Sequence, residues 1–265
     1  MATTRYETHS MPHPLLPFIY HPRFEITHCS KYPNWHENIE LLQCLEGSGY
    51  VRCGAEQIPL TPENPVIINA DTLHSIHTDS RVVYRCLIID NSFFTANGVP
   101  IRSLSFESYI EDTQVCTLFD RIAQAYSRLS PEDFRTVLDL RTQVLNLINA
   151  LCLNHTVRRQ DDPSNQYVKN AVIYLRQHLE EPLTLEKLAD HLGISKYHLA
   201  HLFKVHTGKT VIQTMNLIRC TEAQRMIEEG ATVSAAALAC GFENLSYFTR
   251  TYKKHMGSLP SKGKY

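Results

Sequence analysis

Two groups of side chains in this 265-residue sequence have the types and spacing to do chemistry. The first lies near the front. His36, Asn38 and Glu40 alternate along a stretch that reads as extended, which puts them on one face, and His74 on a later strand can converge with them. Two imidazoles and a carboxylate are a conceivable metal triad; the same groups also suit a polar small-molecule pocket. Trp35, the only tryptophan, carries a ring that can stack on a sugar or pack in a domain wall. The second group lies near the end. Lys196, Tyr197, Ala200, His201 and Lys204 fall on the outward side of one helical stretch, and Ser246, Thr249, Arg250, Lys253 and Lys254 on that of another. Two cationic faces of this kind suit a polyanion.

The elements that position the second group are helices with short corners. Thr184 caps a helix holding Leu185, Leu188 and Ala189; Gly193 turns the chain, and Ser195 caps a second helix to about His206. Ala189 lets the two helices approach, and Ile194, Leu199, Leu202 and Phe203 close the core beneath them. About fifty residues on the plan repeats: Thr232 caps a helix through Ala235, Ala236, Leu238 and Ala239, Gly241 turns the chain, and Asn244 starts a helix to about His255. Phe242, Phe248 and Tyr252 supply its buried side. Val211 to Glu228 reads as one long helix holding the two units at a fixed separation. Val168 to Leu179 reads as a further helix ahead of them.

The first group sits in a different setting. From Phe24 to about Asp90, short apolar runs alternate with turn residues, an all-β signature with strands at Ile39 to Leu45, Gly49 to Cys53, Gln57 to Leu60, Val66 to Asn69 and Arg81 to Ile89. Such a series tends to curl into a sandwich or barrel. Ile110 to Ser127 and Glu132 to Asn154 then show helical periodicity, and their apolar stripes suit packing on the β domain or pairing with a second copy. Arg158 to Asn165, polar and containing proline, reads as a linker.

Charge divides along the same line. Residues 1–162 carry 13 Lys+Arg against 19 Asp+Glu, and residues 163–265 carry 13 against 8, so only the back half is basic enough to face a polyanion. The eight cysteines are scattered without a Cys-x-x-Cys pair, which favours buried thiols over disulfides or a zinc cage. No apolar run approaches the roughly 20 residues of a membrane span, and the first residues lack the apolar core of a secretory signal. A cytoplasmic protein with no membrane contact is expected.

At Leu188-Ala189, Gly193-Ile194-Ser195, Leu199, Phe203-Lys204, Gly208, Gly241-Phe242, Ser246-Tyr247-Phe248, Arg250, Tyr252-Lys253-Lys254, Gly257 and Pro260-Ser261 the chain resembles the AraC/XylS family of transcription regulators, over about Val168 to Lys264. The resemblance implies that the second helix of each unit enters successive major grooves of double-stranded DNA. It makes Tyr197, Ala200, His201, Asn244, Ser246, Thr249 and Arg250 candidates for base reading, with Arg250 able to contact guanine at two points. Lys196, Lys204, Lys253 and Lys254 suit phosphates. The family often has a larger polar residue at Ala200 and a bulky aliphatic at Ala236; the first departure weakens base-specific bonding there, and the second implies a thinner core.

The front half resembles the cupin-like sensor domain that many members carry, through Trp35-His36-Glu37-Asn38-Ile39-Glu40, Leu45-Glu46-Gly47, the Pro59 to Asn69 hairpin and Asp71-Thr72-Leu73-His74-Ser75. Metal-binding cupins usually carry a histidine where Asn34 stands, so the resemblance implies no metal or cofactor but a small-molecule effector, a sugar or sugar derivative, held by Trp35, His36, Glu40 and His74. The expected architecture is an N-terminal all-β cupin-like barrel followed by helices (1–157, effector binding and homodimer formation), a linker (158–166) and an all-α double helix-turn-helix (167–265). The expected role is an effector-responsive regulator that most often activates transcription, with RNA polymerase as a partner. Its rivals are a metal-dependent cupin enzyme with an appended helical domain and a helical interaction module without DNA affinity.

Overall fold

A computed structural model of the chain describes residues 9, 11, 15–27, 33–101, 103–158 and 163–260. Cys29, the stretch 159–162 within the expected linker, and Ser261 to Lys264 of the family resemblance lie outside the described residues.

Among the described residues, the front half begins with seven strands: β1 (Phe18–Thr27), β2 (Ile39–Gly47), β3 (Gly49–Cys53), β4 (Glu56–Leu60), β5 (Val66–Ile68), β6 (His74–His77) and β7 (Arg81–Ile89). They form two antiparallel sheets, one of four strands in the order β1-β7-β2-β5 and one of three in the order β4-β3-β6. After them come α1 (Asn91–Ala96), β8 (Leu104–Phe106), α2 (Thr113–Ser127), α3 (Phe134–Asn154) and β9 (Thr156–Arg158), which pairs with β8. Alternation along β2 and β7 divides the core into two layers. Leu42, Cys44, Val82, Tyr84, Cys86 and Ile88 face the small sheet, while Ile39, Leu41, Leu87 and Ile89 face α2 and α3.

The closed, cupin-like barrel expected for this half is not formed. Closure would require the edge strands of the two sheets to pair with each other, and their backbone groups are taken elsewhere. The edge of β5 is bridged by the segment at Tyr109, where Ile67 N donates to Ser108 O and Ile110 N to Pro65 O. The edge of β6 pairs with Asn34, whose N–H and carbonyl exchange hydrogen bonds of 2.9 and 2.8 Å with His74. With edge groups satisfied in this way, the two sheets remain an open sandwich.

The back half is helical: α4 (Pro163–Gln177), α5 (Leu185–Leu192), α6 (Lys196–Thr207), α7 (Val211–Glu228), α8 (Val233–Ala239) and α9 (Leu245–Met256). α4 begins ahead of the expected Val168, at a proline suited to a first helical turn. Five of these helices start at caps within three residues of the bonded amide: Thr184, Ser195, Thr210, Thr232 and Asn244 accept from the backbone N–H of Lys187, His198, Gln213, Ala235 and Tyr247. The corners fall at Gly193 and Gly241, with φ of 68° and 74°, backbone that glycine adopts without strain.

Candidate nucleic-acid interface and sensor site

α7 belongs to both helix-turn-helix units. Its first half contributes Val211, Met215 and Ile218 to a core with Leu188, Leu199 and Phe203; its second half contributes Cys220, Ala223 and Ile227 to a core with Ala236, Phe248 and Tyr252. At 18 residues it is about 27 Å long, one rigid spacer between two packed units.

α6 presents Tyr197, 78% exposed, with exposed His201 and Lys204 and half-buried Lys196 and Ala200. α9 presents exposed Ser246, Arg250, Lys253 and Lys254 and half-buried Thr249, with Asn244 exposed at its cap. Several of these groups have local partners. The Asn244 side-chain oxygen is spent on its cap, Thr249 Oγ1 donates to Leu245 O at 2.9 Å, Lys204 Nζ donates to Gly208 O at 2.8 Å, and Lys196 Nζ pairs with Glu186 at 2.8 Å. The Lys196–Glu186 pair is exposed and screened by solvent, so a phosphate can displace it. Lys204 and Lys254 line a cleft of about 350 Å³ whose far wall is the small sheet, with Tyr50, His77, Lys209 and His255 also on its surface. Burial, with Lys209 and Arg52 nearby, lowers His77 to about 4; burial, with Lys209 and Lys254, does the same for His255.

The sensor residues come together at one end of the sandwich, by a route different from simple alternation. Glu40 lies in β2, but His36 and Asn38 precede it, and the chain bends between them so that His36 Nε2 lies 3.0 Å from Glu40 Oε2. His74, at the start of β6, places its Nε2 3.5 Å from the same oxygen. Cys86 of β7 donates its thiol to Glu40 Oε1 at 3.0 Å, a partner 46 residues away that no local pattern signals. Burial pushes the Glu40 carboxyl upward, but the hydrogen bond from His36, the charges of His74 and His36 and the Cys86 thiol outweigh it and hold the group well below the ordinary carboxylate range.

Trp35 lies neither in a sheet wall nor open to a ligand. With Leu73 it enters the core of the first helix-turn-helix unit, beside Val168, Val172 and Leu188. Lys169 and Arg176 of α4 stand 5.9 and 6.0 Å from its ring centroid, and Arg176 donates to Asn34 Oδ1 at 3.2 Å. Sequence reasoning missed both cations, because they act only once the domains dock. A second bridge runs from Arg52 Nη1 to the carbonyl of Val205 near the end of α6.

Comparison with known proteins fits this division. Residues 188–263 match a helix-turn-helix domain family, and residues 25–147 match the AraC-like ligand binding domain family. The chain is 36% identical over 90 residues to the multiple antibiotic resistance protein MarA of Escherichia coli K12, covering 34% of this chain and 71% of that one. The chain belongs to the AraC family of helix-turn-helix transcriptional regulators. It is 27% identical over 229 residues to the HTH-type regulator YobQ of Bacillus subtilis, covering 85% of each chain. It is 30% identical over 215 residues to the HTH-type regulator CdhR of Pseudomonas aeruginosa, covering 73% of this chain and 63% of that one. This AraC-family member is therefore a DNA-binding regulator with an effector-binding front domain, and not an enzyme. Among the described residues, no helix is long and apolar enough to cross a membrane.

Proposed function

We propose that residues 1–157 bind an effector and pair two chains, residues 158–166 link, and residues 167–265 read an operator by placing α6 and α9 in successive major grooves. The observation that carries this reading is α7: one helix shared by two cores fixes the separation of two outward faces bearing Tyr197, His201, Ser246 and Arg250. Ala200 and Thr249 add close contacts to bases, Asn244 orients α9 as its cap, and Lys196, Lys204, Lys253 and Lys254 meet phosphates. The protein acts in the cytoplasm, and its DNA-bound form recruits RNA polymerase as an activator. Phe134 and Leu138, 69% and 60% exposed and one turn apart on α3, support pairing with a second copy. The effector is a carbohydrate or related small molecule sensed through His36, Glu40 and His74, and Trp35, buried against the first helix-turn-helix unit, relays its binding without touching it.

Selection of bound sites from a random duplex pool tests the reading. A two-unit reader should enrich two short motifs about one helical turn apart, and its affinity should fall steeply with salt. A single motif, or binding insensitive to salt, would remove one unit from the interface.

A further inference from the structure

We propose that Arg52 of β3 is a positioning residue for DNA reading: from the front domain it holds the end of α6, and with it the face that carries Tyr197 and His201. The role rests on the DNA-reading proposal above. Alternation along β3 gives the small sheet two faces. Val51 and Cys53 point into the core of the sandwich, while Tyr50 and Arg52 point outward to the helical half. The register with β6 sets Arg52 opposite Ser75 and Cys53 opposite His74. The sensor residue His74 and the docking residue Arg52 therefore occupy opposite faces of the same two strands, one register position apart.

What Arg52 meets is a helix end. The last four carbonyls of a helix find no N–H within it, and they carry the negative end of its dipole. Gly208 N donates to Lys204 O at 2.9 Å, and Arg52 Nη1 donates to the next carbonyl, Val205 O, at 3.3 Å. The chain then turns at Gly208 with φ of 70°, and the guanidinium lies so close that a Cβ there would stand 2.8 Å from its Nε. Two residues beyond Arg52, Gly54 brings the turn after β3 against His206 of the same helix end, where a Cβ would stand 3.3 Å from Nδ1.

Stability does not explain this contact. At 3.3 Å the bond lies just past the ordinary range, which ends at about 3.2 Å, and making it leaves Arg52 Nε buried without an acceptor among the described residues. Drying that donor offsets what the bond and the helix dipole contribute. What remains is placement. Trp35 and Leu73 fasten the first unit beside Val168, Val172 and Leu188, and one attachment alone is a pivot. Arg52 supplies a second attachment, on a different helix, and two attachments fix an orientation. Among the described residues, the apolar core of the second unit is built from the back half alone, so a loss at Arg52 falls on α6 before α9.

The test uses the full chain and the operator selected from the duplex pool, its two motifs assigned to helices with His201→Ala on α6 and Arg250→Ala on α9. Arg52→Ala should weaken binding to the intact operator about two- to tenfold and leave binding unchanged on an operator whose α6 motif is scrambled. Arg52→Lys, which keeps a cation at the helix end, should recover part of the loss. Gly208→Ala displaces the guanidinium and also strains a left-handed backbone; only the first effect vanishes when Arg52 is already alanine, so the double variant should lose less than the two single losses combined. Unchanged or raised affinity, an equal loss on both operators, or strict additivity with Gly208→Ala would overturn the role. Circular dichroism and melting point establish folding, and if Arg52→Ala does not fold, Arg52→Met, which keeps the aliphatic stem, takes its place. A parent chain that enriches no pair of motifs fails as a two-unit reader and takes this role with it. A parent that enriches two, with variants that do not discriminate between them, leaves the reader standing and removes Arg52 alone.

Discussion

Replacing Gly241 with alanine, and Gly193 separately, sets two similar corners against each other. A left-handed backbone costs an ordinary residue about 1–2 kcal/mol, and both variants incur that cost. They differ in what the added methyl meets. On Gly193 it has nothing within 4 Å; on Gly241 it would stand 2.4 Å from the Leu179 carbonyl oxygen and 2.8 Å from Arg219 Nη2. Arg219 can swing away only by giving up its hydrogen bonds to the carbonyls of Leu179 and Glu181, both 2.8 Å, each worth about 0.5–1.5 kcal/mol. The Leu179 oxygen is backbone and yields only if the connection from α4 to α5 shifts. Gly193→Ala should therefore destabilise by about 1–2 kcal/mol and Gly241→Ala by about 2–5 kcal/mol. Urea unfolding followed by circular dichroism reads the difference as a larger loss of midpoint for the second variant at similar slope. Operator affinity should fall with it, because α9 hangs from that corner. Equal midpoints would show that the close approach to Leu179 does not govern the second unit.

Arg250→Ala should cost about 1–3 kcal/mol of operator affinity and relax one base position; gel-shift measurements on a substituted operator series decide, and unchanged binding removes the residue from the interface. Lys253→Ala should weaken all sequences alike and lower the slope of log affinity against log salt by about 1, and an unchanged slope would place that lysine away from phosphate. His77 and His255 titrate at about 4 in the fold against an ordinary 6.5, so between those values the unfolded chain binds more protons and stability rises with pH. The melting temperature should accordingly fall as pH drops from 7 toward 5, less steeply in His255→Gln, and a flat parent profile would contradict the burial of both rings.

What could be read from the sequence was what the chain decides locally. The caps at Thr184, Ser195, Thr232 and Asn244 act over three residues, and the strands β2, β3, β4 and β7 carry their own alternation or turns. β1 was only partly legible, because Pro22 and the register shift between His21 and Phe24 interrupt its pattern. β8 and β9, three residues each, exist through their mutual pairing and carry no periodicity. The closed barrel failed for a related reason: whether sheet edges meet depends on distant segments such as Asn34 and Tyr109. In the sensor cluster the histidines and Glu40 stood out by type, whereas Cys86 and the burial of Trp35 in another domain required the tertiary structure.

The docking of Trp35 and Leu73 into the first unit also limits how this protein can be dismantled. Cutting the chain in the linker would leave the reader with an empty socket lined by Val168, Val172 and Leu188, an apolar scar that invites aggregation. Chimeras that graft a foreign sensor onto this reader inherit the same requirement: without an indole and an aliphatic group at matching places, the hybrid has two sound halves and no seam.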